Sequence, residues 1–295
     1  MVIQHNLSAL FVLRQISINQ ALCDKSIRRL SSGYRINSAA DDPAGLAVSE
    51  KMRAQIRGLQ AAQQNTQDGI SLVQTAEGNL NETQSILNRM MELAVQSSNG
   101  TYQNDTDRKN SSKEFESLKQ EIDRIANTTD FNGTKLLNGS LAEITDPASP
   151  EYGKGGITLQ VGADNSKDGQ YTIHIPNLGI QGLGLDGTSI ATQEGAQKAV
   201  DLIKKAADTV AGARGSLGAA QNGLERQLSC LSTMEDNLTA AESRIRDVDM
   251  AREMMELAQH NILVQAGMAM LAQANLQPQR ILKLLEDSLP KNNRD

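Results

Sequence analysis

The sequence predicts a mainly α protein, an elongated rod of long coiled-coil helices drawn from both chain ends, with a small β-hairpin region in the middle. Three observations carry this reading. Near both ends apolar residues recur at spacings of three, four and seven. In the middle they alternate with polar ones instead. Aromatic residues make up only 2% of a 295-residue chain whose hydrophobic fraction is 39%. A rounded globule leans on aromatic side chains for buried area, whereas Leu, Ile, Val, Met and Ala suit helices that meet along narrow seams.

The first helix shows its stripe in Leu10, Leu13, Ile16, Cys23, Ile27 and Leu30. The stretch SSGYRINSAADDPAGLA, with Gly33, Pro43 and Gly45, ends it and starts another. Asp41 or Asp42 can cap the new helix, with Pro43 in its first turn. That second helix runs to about Ser98, on the order of 80 Å at the usual rise. No proline interrupts it, although Gly58, Gly69 and Gly78 weaken it. Its seam holds Ile56, Leu59, Ile70, Val73, Leu80, Leu87 and Met91, with polar Gln63 and Thr66 intruding. A third helix fits Asp107 to Ile125, with Phe115, Leu118, Ile122 and Ile125 on one face.

Phe131 to Thr134, FNGT, signals a turn. Pro147 and Pro150 mark a short polar segment. Ile157, Leu159 and Val161, then Tyr171, Ile173 and Ile175, read as two strands of a hairpin joined by ADNSKDG. Leu178 to Thr188 is Gly-rich and reads as loop. Helical periodicity returns near Thr192, with Leu224, Leu231, Leu238 and Ile245 spaced by sevens and Leu228 between them. A final stripe carries Met250, Met254, Leu257, Val264, Met268 and Leu271. These last stripes have no partner inside their own segment, so the economical pairing joins the two chain ends. Two short terminal helices cover only part of each other's apolar surface, which points to a polymer whose ends are the assembly surface.

Several functions are excluded. A net charge of −6 offers no basic surface to displace counterions from nucleic acid. No stretch approaches the ~18 apolar residues that membrane insertion requires. The start, MVIQHNLSAL, lacks the layout of a cleavable secretory signal. Cys23 and Cys230 are too few and too far apart for a zinc site or a disulfide framework. Cys23 on its stripe reads as a small buried hydrophobe. His5, His174 and His260 are scattered without metal-ligand spacing. No phosphate-binding glycine loop or nucleophile elbow occurs. AGARGSLG near Gly212 reads as close helix packing. The expectation is therefore a protein with no catalytic residues, cofactor or metal.

The residues also carry a family resemblance. Lys25 to Leu87, KSIRRLSSGYRINSAADDPAGLAVSEKMRAQIRGLQAAQQNTQDGISLVQTAEGNLNETQSIL, resembles the N-terminal part of bacterial flagellins, as do NRMMELAVQSSNGT and QEIDRIANTTDFNGTKLLNGS. NLTAAESRIRDVDMAREMMELAQHNILVQAGMAMLAQANLQPQRIL is similar to the matching tail. The resemblance spans roughly residues 1–140 and 195–285. A junction protein between hook and filament shares such ends, but ESRIRDVDMA and AQAN favour flagellin proper.

The resemblance implies a filament subunit for swimming, exported unfolded through the flagellar type III apparatus, which accounts for the missing signal. It implies an inner terminal coiled-coil domain from 1–42 and 250–295, a helical rod domain from 43–140 and 190–249, and a short variable segment, 141–189, holding the hairpin. Copies of the chain, an export chaperone, the filament cap and hook–filament junction proteins are the implied partners. The expected assembly and chaperone-binding seam is Leu10, Leu13, Ile16, Ile27, Leu30, Met254, Leu257, Ile262, Leu263, Met268 and Leu271. Recognition by Toll-like receptor 5 would fall on Asn88 to Val95, through Arg89, Glu92 and Leu93, with Glu114 on the next helix. Met91 stands where many receptor-binding members carry a basic residue. The apolar FVLRQISINQALCDKSI and the tail EDSLPKNNRD depart from the family pattern.

Overall fold

The computed structural model describes residues 6–101, 106, 108–142 and 155–288. Helices α1 (Leu7–Ser32), α2 (Pro43–Ser98) and α3 (Lys109–Thr128) come first. Strands β1 (Asp130–Phe131), β2 (Thr134–Lys135), β3 (Ile157–Gln160) and β4 (Gln170–Ile173) follow, then α4 (Gln193–Arg246) and α5 (Met250–Ser288). The chain divides into two compact units, one formed by Met1–Ala54 with Leu238–Asp295 and the other by Gln55–Asn237. The segment with Pro147 and Pro150, Asp107 at the expected start of α3, and the tail from Leu289 lie outside the described residues.

The central unit is built on a continuous apolar core. From α2 it takes Leu72, Val73, Ala76, Leu80, Leu87, Met90 and Leu93; from α3, Phe115, Ile122 and Ile125; from α4, Ile203, Val210, Leu217 and Leu224. Val73, Leu80 and Leu87 thus lie where their heptad spacing puts them. Thr66, an intruder in that seam, is fully buried because its hydroxyl donates back to the Ala62 carbonyl at 2.7 Å. The stretch expected as plain loop has a packing role: Leu178 and Leu185 are buried in the core, as is Ile190 just beyond it, whose carbonyl accepts from the Ser97 hydroxyl at 2.6 Å. Buried Arg108 donates to the Ser97 and Asn99 carbonyls, both at 2.8 Å, satisfying acceptors at the end of α2 that have no helical partner.

FNGT proves to be the turn of a small hairpin, with Asp130 paired to Lys135 and Phe131 to Thr134. Asn132 and Gly133 both have positive φ, 49° and 81°, as a type I′ turn requires. Strands β3 and β4 pair antiparallel, Ile157 with Ile173 and Leu159 with Tyr171, and the Val161 amide extends the ladder to the Gly169 carbonyl at 2.9 Å. Gly58 and Gly69 make room for this hairpin. A methyl group on Gly69 would overlap Leu159, and one on Gly58 would press on Ala163. Beside them the Asn65 amide donates to the Gln160 carbonyl at 3.0 Å. Gly212, by contrast, has open space where a side chain would sit, as do Gly215 and Gly218. The close-packing reading of AGARGSLG is therefore corrected: Val210, Ala213 and Leu217 do the packing there.

In the terminal unit α1 and α5 run antiparallel, since partners on α5 fall in number as those on α1 rise. Asn6 meets Ala274, Ile16 lies on Gly267, Cys23 bonds Asn261 at 3.6 Å, and Arg29 pairs with Glu253 at 3.4 Å. Pro278 sits inside α5 and has no N–H to give the Ala274 carbonyl four residues earlier. The Asn6 side-chain amide donates to that carbonyl instead, at 2.9 Å, while its oxygen caps α1 by accepting from the Ala9 amide at 3.1 Å. One asparagine thus serves both the start of α1 and the gap that Pro278 leaves inside α5. At the other end of α1, Gly33 closes the helix in the left-handed conformation, its N–H reaching the Arg29 carbonyl at 2.8 Å.

Of the two candidate caps for α2, Asp42 performs the task, accepting from the Gly45 amide at 3.0 Å. Asp41 organises the preceding turn instead, accepting from the amides of Asn37 and Ser38 and from Lys25 at 2.9 Å. Tyr34 lies between two guanidinium groups, 5.9 Å from Arg53 and 5.0 Å from Arg246. These arginines pair in turn with Glu242 and Glu50.

Candidate assembly surface

The seam between α1 and α5 is narrow and made largely of small or polar side chains. On α1 it comprises Ala9, Val12, Ile16, Asn19, Cys23, Ser26 and Leu30; on α5, Glu253, Leu257, His260, Val264, Gly267, Leu271 and Ala274. Each set follows the alternating three-and-four spacing of a coiled coil. Of the residues expected to form one stripe, Ile16, Cys23, Leu30, Leu257, Val264 and Leu271 lie on this seam. Leu10, Leu13, Ile27, Met254, Ile262, Leu263 and Met268 do not, and all seven are exposed. Spacing alone could not separate the two sets, because α5 is apolar around most of its circumference and several stripes can be drawn along it.

The outer faces carry the large hydrophobes. Phe11 is 71% exposed, Met255 66% and Ile262 65%, and Leu7, Ile18, Leu22, Met270 and Leu276 are exposed as well. Among the described residues, every exposed large apolar side chain but Val48, Val95 and Met234 belongs to α1 or α5. Residues such as Phe11, Met255 and Met270 stand off the expected stripes; the signal that could have found them was the number of large apolar residues in the two helices beyond a single stripe.

The other expected contact group lies in the central unit. Arg89 on α2 bonds Glu92 one turn on and Glu114 on α3, each at 2.9 Å. The paired carboxylates, Glu92 first, raise the pKa of its guanidinium further above its ordinary value. Arg89, Glu92 and Glu114 are open to solvent, whereas Leu93 faces the core at 2% exposure. In the terminal unit the hydrogen-bonded Lys25, chiefly, together with the Asn37 and Ser38 amides, holds the Asp41 carboxyl at a pKa of about 2 against an ordinary 3.8, despite partial burial that acts the other way.

Among the described residues no group of three or more His, Cys, Asp or Glu could hold a metal ion, and no helix is long and apolar enough to cross a membrane. Cys23 is buried and Cys230 exposed, both as free thiols. The class of protein these surfaces define is a structural subunit. A well-packed central unit accompanies a terminal pair of helices whose apolar faces look outward in more than one direction, and such faces call for several neighbours.

Comparison with known proteins gives the family. Models of the bacterial flagellin N-terminal and C-terminal helical regions match residues 3–142 and 200–285. A flagellin of Halalkalibacterium halodurans is 48% identical over 97% of this chain and all of its own length. One from Bacillus subtilis is 46% identical over 96% of this chain and 99% of its own. A flagellar filament 31.3 kDa core protein of Treponema maltophilum is 42% identical over 97% of this chain and its full length. The chain belongs to the bacterial flagellin family. It is accordingly a structural subunit that polymerises with itself into the flagellar filament, and it is not an enzyme.

Proposed function

We propose that the chain enters the filament through the outer faces of α1 and α5, and that the expected seam residues serve it in two ways. Ile16, Leu30, Leu257 and Leu271 hold the helix pair together. Leu10, Leu13, Ile27, Met254, Ile262, Leu263 and Met268 pack against other copies. The observation carrying this reading is the near-confinement of exposed large apolar side chains to these two helices. The same faces suit an export chaperone before secretion, and later the cap and the hook–filament junction proteins.

Electron microscopy of seeded growth tests the reading with Met255→Glu combined with Ile262→Glu. The variant chain should keep its helical content yet fail to extend seeds. Normal filaments from it would place the assembly contacts elsewhere.

A second reading concerns Toll-like receptor 5. It is supported by the exposed Arg89, Glu92 and Glu114 network, which presents charge on adjacent helices. Leu93 would act there by fixing the shape of α2 from beneath. In a receptor reporter assay Arg89→Ala should weaken the signal; an unchanged response would remove this network from the contact.

A further inference from the structure

We propose that the outward methionines of α5 are an oxidation-sensitive modification site that decides whether a free chain can join a filament. The inference rests on the reading that this face is an assembly surface. The chain has ten methionines. Five of them, Met250, Met254, Met255, Met268 and Met270, lie within one stretch of α5 and are each at least half exposed. Elsewhere Met90 is fully buried, Met52 and Met91 are half-buried, and exposed Met234 stands apart on α4. Met254 and Met268 share a heptad position. Ala258, Ile262, Leu263, Ala266 and Ala269 are exposed around them, with neutral polar Gln259, Asn261 and Gln265 interspersed, and Arg252 and Glu256 pair with each other at 3.3 Å beside Met255. The part of a partner that covers these thioethers must itself be apolar.

A thioether on this face is open to two-electron oxidants of the peroxide class. The sulfur lone pair attacks one peroxide oxygen, the O–O bond breaks, and a sulfoxide forms as water departs. Sulfur loses two electrons and the peroxide gains them. The product carries a strong hydrogen-bond acceptor, and an apolar neighbour has no donor to meet it. Leucine would give nearly the same apolar area without this reactivity.

The test uses the full chain with Cys230→Ser as background, hydrogen peroxide as the probe, and elongation from filament seeds as the readout. Peptide mass spectrometry should find one added oxygen on each outward methionine, and elongation should fall about tenfold or more. Treatment with methionine sulfoxide reductases should restore it. A chain with Met250, Met254, Met255, Met268 and Met270 all changed to Leu should elongate equally with and without peroxide. Unchanged elongation of the oxidised natural methionines would overturn the proposal, and so would equal peroxide sensitivity in the Leu chain. Should the Leu chain fail to elongate untreated, enzymatic rescue decides: recovery supports the site and no recovery overturns it. Peroxide treatment of finished filaments separates the two readings. Methionines reacting as fast there as in the free chain would sink the assembly surface itself. Protection in the filament with indifferent elongation would sink the oxidation site alone.

Discussion

In the central unit the large apolar side chains turn inward: Phe115, Ile122, Leu80, Leu87 and Leu224 from three helices, with Ile173 and Ile175 from the hairpin region. In the terminal unit the arrangement is reversed. Small or polar Ala9, Asn19, Ser26, His260 and Gly267 face the seam, while Phe11, Ile18, Met255, Ile262 and Met270 face outward. Both units use the same kinds of residue and the same helical period. They differ in how many helices surround each apolar position. Three helices and a hairpin can enclose a core, whereas two helices cover one side of each other, so the remaining hydrophobes are left for neighbours to bury.

The largest expected effect comes from breaking the closed unit. Phe115→Ala removes a fully buried ring and should cost about 3–5 kcal/mol in denaturant unfolding. A loss below about 1 kcal/mol would mean that the core is looser than its burial suggests.

Next comes Asn6→Ala, which removes the cap of α1 and leaves the Ala274 carbonyl without its partner. A loss of about 2 kcal/mol is expected. In a chain already carrying Pro278→Ala, residue 278 regains its N–H and can serve that carbonyl within α5. The same Asn6 change should then cost only about 1 kcal/mol, the cap alone. Equal costs in the two backgrounds would break the proposed link between asparagine and proline.

Asp41→Asn should have a smaller effect, about 1 kcal/mol or less at neutral pH, because its pair with Lys25 is partly exposed. The folded pKa is depressed, so this stability is present above about 3.8 and is lost as pH falls toward about 2. Melting temperatures of the natural and variant chains should therefore converge in acid. A gap that persists at pH 2 would assign the effect to packing.

The smallest effect on the isolated chain should be that of Met255→Glu, within about 0.5 kcal/mol, because the side chain is largely exposed. Its effect should appear on assembly instead. Marked destabilisation of the free subunit would erase the distinction between the two units.

Much of the fold was legible because period and punctuation are local properties. The heptads of α2 and α4, the turn at Asn132-Gly133, the alternation of β3 and β4 and the stop at Gly33 follow from backbone geometry that neighbouring residues impose. The packing of Leu178 and Leu185 was not legible, since a Gly-rich stretch shows no period to mark it as core. Nor was the role of Gly58 and Gly69, which depends on a hairpin some hundred residues away. The Arg89 network joins two helices and needed the structure to bring Glu114 within 2.9 Å.

By itself the sequence determined that both ends are helical, that their apolar surface exceeds what two helices can hide, and which family the chain resembles. Tertiary structure decided which face of each end helix is spent on its partner. That choice follows from antiparallel register, in which Ile16 fits against Gly267 and Asn6 reaches the carbonyl that Pro278 leaves free. A helix apolar around most of its circumference offers several stripes of similar hydrophobicity, and only the shape and hydrogen bonding of the opposing helix select one.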